Sequence, residues 1–112
     1  MALRRGDVVL VPFPFSDLST SKVRPAAVVS TDRYHAQESD LILVALTSRI
    51  SAATGPLDYV LADWQGANLR FPSAFKPVVL TLDPTRVIFE IGALSERDLS
   101  AIEARLRLAL GL

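Results

Sequence analysis

Two short strings in this chain combine residue types suited to handling an anionic ester. Lys22-Val23-Arg24-Pro25 sets two cations at the end of a polar stretch, directly before an apolar run. Thr47-Ser48-Arg49 sets two hydroxyls and a guanidinium at the exit of the most apolar run, residues 41–46. If the fold brings the strings together, Arg24 lies beside the Thr47 and Ser48 hydroxyls. A guanidinium placed there stabilises charge developing on a phosphate, and the hydroxyls orient it. Each string also has a plain structural reading. The cations suit a solvated loop end, and the hydroxyls suit capping of backbone groups where a strand stops.

Other chemistries find little support. The chain has no cysteine and one histidine. That excludes thiol nucleophiles, thiolate zinc sites and multi-histidine metal sites, and argues against a Ser–His pair. Carboxylate sites for hard ions are the remaining metal option. There is no Gly-rich phosphate loop, HExxH, GxSxG or EF-hand loop.

The elements that must position these residues read as strands followed by one helix. Residues 8–13 form a β-branched run bounded by Gly6-Asp7 and Pro14, and residues 14–24 carry loop chemistry. Residues 25–30 read as a second strand and residues 31–40 as a turn or connecting loop. Residues 41–46 are continuously apolar and short, which predicts a strand buried on both faces. Thr54-Gly55-Pro56 marks a turn, residues 58–61 suit an edge strand, and residues 66–73 are irregular. Residues 77–82 and 86–91 read as further strands, separated by a turn at Asp83-Pro84. The period then changes. Ser95 is a plausible N-cap with Asp98 as a weak capping-box partner. Leu99, Ile102, Leu106 and Leu110 recur at helical spacing, Gly111 stops the run, and Glu96, Arg97, Glu103 and Arg107 hold the other face. Short strands with one terminal amphipathic helix predict a compact, partly closed barrel or strongly bent sheet.

Length and composition fit that picture. The chain has 112 residues, 50% hydrophobic and 21% charged, and reads as a single domain over residues 1–112. Twelve basic and twelve acidic residues cancel, which argues against a bulk electrostatic nucleic-acid binder but permits a local patch. Ten of the twelve cations are arginine, the better phosphate clamp. No secretory signal and no apolar run of membrane-spanning length are visible, so a cytoplasmic protein with no membrane contact is expected. His35 reads as a surface residue, and Trp64 and Phe71 as core or interface aromatics, with stacking on bases as the alternative.

Taken in order, these strings resemble a known family. Residues 5–17, Arg-Gly-Asp-Val-Val-Leu-Val-Pro-Phe-Pro-Phe-Ser-Asp, are similar to the opening of MazF/PemK-type toxins. Lys22-Val23-Arg24-Pro25-Ala26-Ala27-Val28-Val29-Ser30 follows at the right distance, and Leu46-Thr47-Ser48-Arg49 resembles the third segment. Pro72-Ser73, Leu82-Asp83, Ile91-Gly92-Ala93-Leu94 and the terminal helix complete a likeness that runs over nearly the whole chain.

The resemblance implies a mainly β fold with a C-terminal helix, a small SH3-like barrel of curved antiparallel strands. It implies a homodimer neutralised by a cognate antitoxin. The implied activity is cofactor-free, metal-independent, sequence-specific cleavage of single-stranded RNA, including mRNA. The ribose 2′-OH attacks its own phosphate, leaving a 2′,3′-cyclic phosphate and a 5′-OH. Arg24 then matches the Arg of an Arg-Pro motif that stabilises the phosphate, and Thr47 matches a Thr or Ser that holds it. Ser48 and Arg49 are neighbouring substrate-binding candidates. Asp17 and Lys22 fall in the loop that covers the groove, and Gly6-Asp7 in a structural opening turn. Asp83 matches an Asp used by some members near the reaction centre, and a plain turn is its other reading. Two departures leave the general base open: Thr81 stands where some members have Arg, and the first loop lacks a His. Thr81 and the balanced charge motivate one alternative, a cleavage-deficient member that binds RNA or antitoxin, and the terminal helix motivates another, a toxin of this fold that poisons DNA gyrase through that helix.

Overall fold

The computed structural model describes residues 2–14 and 21–112. The strands are β1 (Asp7–Pro14), β2 (Ser21–Val28), β3 (Leu41–Thr47), β4 (Tyr59–Val60), β5 (Ala74–Leu82) and β6 (Phe89–Ala93). The helices are α1 (Asp32–His35) and α2 (Glu96–Leu110). The six strands form one antiparallel sheet in the order β4-β5-β3-β2-β1-β6, curled into a half-barrel with α2 at its C-terminal end.

The apolar residues sort onto the two faces by strand alternation. One face gathers Val8, Ala27, Val44, Leu46 and Phe75 under Ile102 of α2, with Leu61, Ala67 and Leu69 from the segment between β4 and β5. The other face gathers Val9, Val11, Phe13, Ala26, Val28, Leu41, Leu43, Ala45 and Leu82. β3 contributes to both, which explains its continuous apolar sequence.

Curvature has identifiable sources. Val44 pairs with Val79 but the next residue, Ala45, pairs with Lys76, so Pro77 and Val78 are extra on β5 and bend it there. A second bulge leaves Ile91 unpaired between Val8↔Gly92 and Val9↔Glu90. At Gly92 any Cβ would sit 2.4 Å from the Ala67 carbonyl oxygen, so only glycine lets this bulge press against the β4–β5 segment.

Two caps and one buried carboxylate fix α2. Ser95 caps it, accepting the Asp98 N–H at 3.2 Å, and Gly111 ends it at a φ of 73°. The Asp98 carboxylate does not complete a capping box. It is fully buried and accepts from the Tyr59 hydroxyl (2.6 Å), the Ala62 N–H (2.9 Å) and the Asp63 N–H (2.8 Å). Asp63 in turn accepts from Ser95 Oγ and pairs with Arg97 at 2.6 Å. Arg5 ties the opening turn to the helix, pairing with Glu103 at 3.0 Å and donating to the Val29 carbonyl.

The structure differs from the sequence expectation in five places. β2 starts at Ser21, because Lys22, Val23 and Arg24 pair with Phe13, Pro12 and Val11 of β1; pairing across the hairpin overrides their polar character. β5 starts at Ala74, ahead of its bulge, and β6 at Phe89, after a 3₁₀ turn at Pro84–Arg86. The stretch after β2 contains α1, whose first turn Thr31 caps by accepting the Tyr34 N–H. Leu110 continues the periodic stripe of α2 but is 60% exposed, because the helix runs past the sheet.

Candidate active site

The β2–β3 ladder pairs Ala26 with Ala45, Ala27 with Val44 and Val28 with Leu43. Carried two residues further, that register sets Arg24 opposite Thr47. Both lie two positions from a paired alanine of the second face, so alternation puts their side chains on that face. The ladder ends at Ala26, next to Pro25, which has no N–H to donate. The Arg-Pro step therefore marks where two neighbouring strands stop bonding and present side chains instead.

Thr47 is half-buried and its Oγ1 accepts the Arg49 N–H at 3.1 Å. That bond occupies one lone pair and leaves the hydroxyl proton to donate. The capping and ligand-orienting readings of Thr47 are thus compatible. Ser48 and Arg49 are exposed at the strand exit. Arg24 is half-buried on β2, and Lys22 is exposed two residues earlier. Asp17 lies outside the described residues.

Asp83 is not brought to this cluster. Leu82 pairs with Leu41, at the start of β3, whereas Thr47 ends it. Six residues of strand separate the two positions, about 20 Å. Asp83 Oδ1 accepts the Thr85 N–H at 2.9 Å and the Thr85 hydroxyl at 2.8 Å, capping the 3₁₀ turn. Those bonds hold its carboxyl below the usual carboxylate range.

Three further expectations meet their outcomes here. His35 is half-buried, not a free surface residue, and its Nε2 lies 2.6 Å from Ser30 Oγ. A Ser–His contact therefore exists despite the single histidine. Ser30 is only 4% exposed and its oxygen also accepts the Ile42 N–H, so the contact clamps β3 to the β2–α1 turn. Trp64 packs against the helix-side core, whereas Phe71 is 62% exposed.

The sequence reading missed the ion pair of Lys76 with Asp58, 2.7 Å apart. The Asp58 side chain is 3% exposed and also accepts the Gly55 N–H at 2.9 Å. Lys76 foremost, opposed by burial, holds its carboxyl below the ordinary range. A lysine as the one charged residue of β5 was the available signal.

Comparison with solved structures reinforces the fold. A mycobacterial endoribonuclease in complex with its cognate antitoxin superposes with a TM-score of 0.79 at 20% identity, covering 99% of this chain and 97% of that one. MazF from Deinococcus radiodurans gives 0.79 at 21% identity over 100% and 99% of the two chains. The MazE–MazF complex of the same organism gives 0.73 at 20% identity over 100% and 98%. No curated protein matches the sequence. A family description of PemK-like, MazF-like toxins matches residues 4–110, which takes in β1, the Arg-Pro step, the Thr47 exit and α2. With that span matched and the fold shared, the chain belongs to the PemK-like, MazF-like toxins of type II toxin–antitoxin systems.

Proposed function

We propose that this toxin is a sequence-specific, metal-independent endoribonuclease acting on single-stranded RNA in the cytoplasm. The observation that carries the reading is the register that sets Arg24 opposite Thr47 on one face, at the point where the ladder opens. Membership of the toxin family, with solved neighbours described as endoribonucleases, supports it.

Arg24 supplies a permanent cation with two parallel donors for the non-bridging oxygens of a phosphodiester. Its contribution grows as charge builds on those oxygens during attack. Thr47, its oxygen pinned by the Arg49 N–H, donates its proton to the same phosphate. The ribose 2′-oxygen forms a bond to phosphorus and the bond to the 5′-oxygen breaks. One proton leaves the 2′-hydroxyl and one is taken up by the 5′-oxygen. The products are a 2′,3′-cyclic phosphate and a 5′-OH, and DNA, lacking the 2′-hydroxyl, is not cut. Lys22, Ser48 and Arg49 border the strand path, and Asp17 is assigned to substrate binding on the family resemblance alone. Asp83 serves the turn that it caps, not the phosphate.

The working unit is a homodimer, and its neutralising partner is a cognate antitoxin. An acidic antitoxin segment is the natural complement to Lys22, Arg24 and Arg49. The test is cleavage of a mixed-sequence RNA by wild type and Arg24→Ala. Discrete fragments from wild type, absent with the variant, support the reading; equal cleavage by both defeats the assigned mechanism. The gyrase-poison reading draws on Leu108, Leu110 and Leu112, exposed beyond the sheet at the end of α2. It predicts gyrase-dependent DNA breaks without RNA fragments.

A further inference from the structure

The strand pairings, with the β2–β3 register carried two residues past Ala26↔Ala45, define two adjacent rows on one face. Val11 and Arg24 share the first row, with Thr47 and Ala74 continuing it. Val9, Ala26, Ala45 and Lys76 make the second, each paired to the next. Lys76 is therefore one strand and one row from Thr47, a diagonal separation of about 7–8 Å between backbones. The residues between are alanines: Ala26 and Ala74 are fully buried and Ala45 nearly so. No large side chain of these rows stands between the Lys76 stem and the Arg24–Thr47 position.

The Lys76 ammonium is 2.7 Å from Asp58 Oδ2, and its side chain is 36% exposed. An ammonium has three donors. Asp58 takes one, and Asp58 is itself held by the Gly55 N–H and covered by its surroundings. The pair thus fixes a cation in a set place while leaving donors for an outside acceptor.

We propose that Lys76, held in place by Asp58, is a substrate-binding residue that contacts the RNA phosphate neighbouring the one at Arg24 and Thr47. This rests on the RNA-cleavage reading above. The two cations, Arg24 on β2 and Lys76 on β5, lie two strands and one row apart across β3 and set the direction in which the strand crosses the sheet. Asp58 places the Lys76 ammonium, but its own charge opposes RNA, and for binding the repulsion outweighs the placement.

The alternative is a purely structural ion pair that staples the segment before β4 to β5. Lys76→Met and Asp58→Asn separate the two. A staple loses its attraction in either variant, so both would lower the melting temperature and leave KM and salt dependence alone. A phosphate contact predicts opposite signs: Lys76→Met raises KM about three- to tenfold and lowers the magnitude of the salt slope of RNA binding by about 0.7. Asp58→Asn removes an anion beside the strand, and KM falls. Lys76→Arg restores the wild-type slope. Should Lys76→Met not fold, the Asp58→Asn measurement decides alone, a raised or unchanged KM there overturning the proposal. A wild-type protein that cuts and binds no RNA takes down the cleavage reading and this proposal with it. Active wild type with an unchanged Lys76→Met takes down this proposal only.

Discussion

Thr47 shows how one side chain serves two ends. Its oxygen closes the strand by accepting the Arg49 N–H, and that bond aims the remaining proton outward. Thr47→Val keeps the shape and loses the donor. It should lower kcat by about 10²–10³ and the melting temperature only slightly, because the Arg49 N–H that loses its acceptor is exposed to water, and Thr47→Ser should retain most activity. Asp83→Asn should leave kcat near wild type, because its oxygens cap a turn at the far end of β3. Tyr59 gives a test by pH. Burial first, and then the Asp98 carboxylate that it donates to, push its hydroxyl up to about 12. An unfolded tyrosine ionises near 10. Between about pH 10 and 12 the unfolded chain loses that proton and the folded chain keeps it. The stability this group contributes is intact below pH 10 and lost as pH rises through 12. Tyr59→Phe should flatten that part of a melting-temperature profile recorded from pH 8 to 12.

At the level of elements, the sheet depends on a few enforced irregularities and one buried carboxylate. Asp98→Ala leaves two backbone donors and the Tyr59 hydroxyl without their acceptor. The expected loss is on the order of 3 kcal/mol, read by urea denaturation. Gly92→Ala forces a methyl onto the Ala67 carbonyl, with a cost of about 1–3 kcal/mol. The sequence made much of this architecture legible. The Ser95 cap, the Gly111 stop and the doubly buried β3 are local signals, and each lies where periodicity predicts. Arg24 and Thr47 were legible as types and positions, whereas their apposition is a property of register. The early start of β2 and the β5 bulge were not legible, because polar residues at Lys22–Arg24 and a proline at Pro77 argue locally against strand. Their conformations are decided by partners far away in sequence. The same reason hid Lys76 and Asp58, which become meaningful only once β4 lies beside β5.

Over the whole molecule, charge is balanced and the cations that matter are local. RNA binding should therefore depend on salt only modestly. Phosphate contacts from Lys22, Arg24, Arg49 and Lys76 give a slope of log K against log salt near −3 at about 0.7 per contact, measurable by fluorescence anisotropy at several salt concentrations. A steeper slope would point to a larger electrostatic surface than these four residues provide. None of the described helices is long and apolar enough to cross a membrane, and the chain should sediment as a homodimer. The most direct test of the account is incubation of purified protein with a long mixed-sequence RNA in EDTA, beside Arg24→Ala, with end-group analysis of the products. The account predicts discrete fragments carrying 2′,3′-cyclic phosphate and 5′-OH ends from wild type and none from the variant. Intact RNA with folded wild-type protein, or the same fragments from Arg24→Ala, would contradict it.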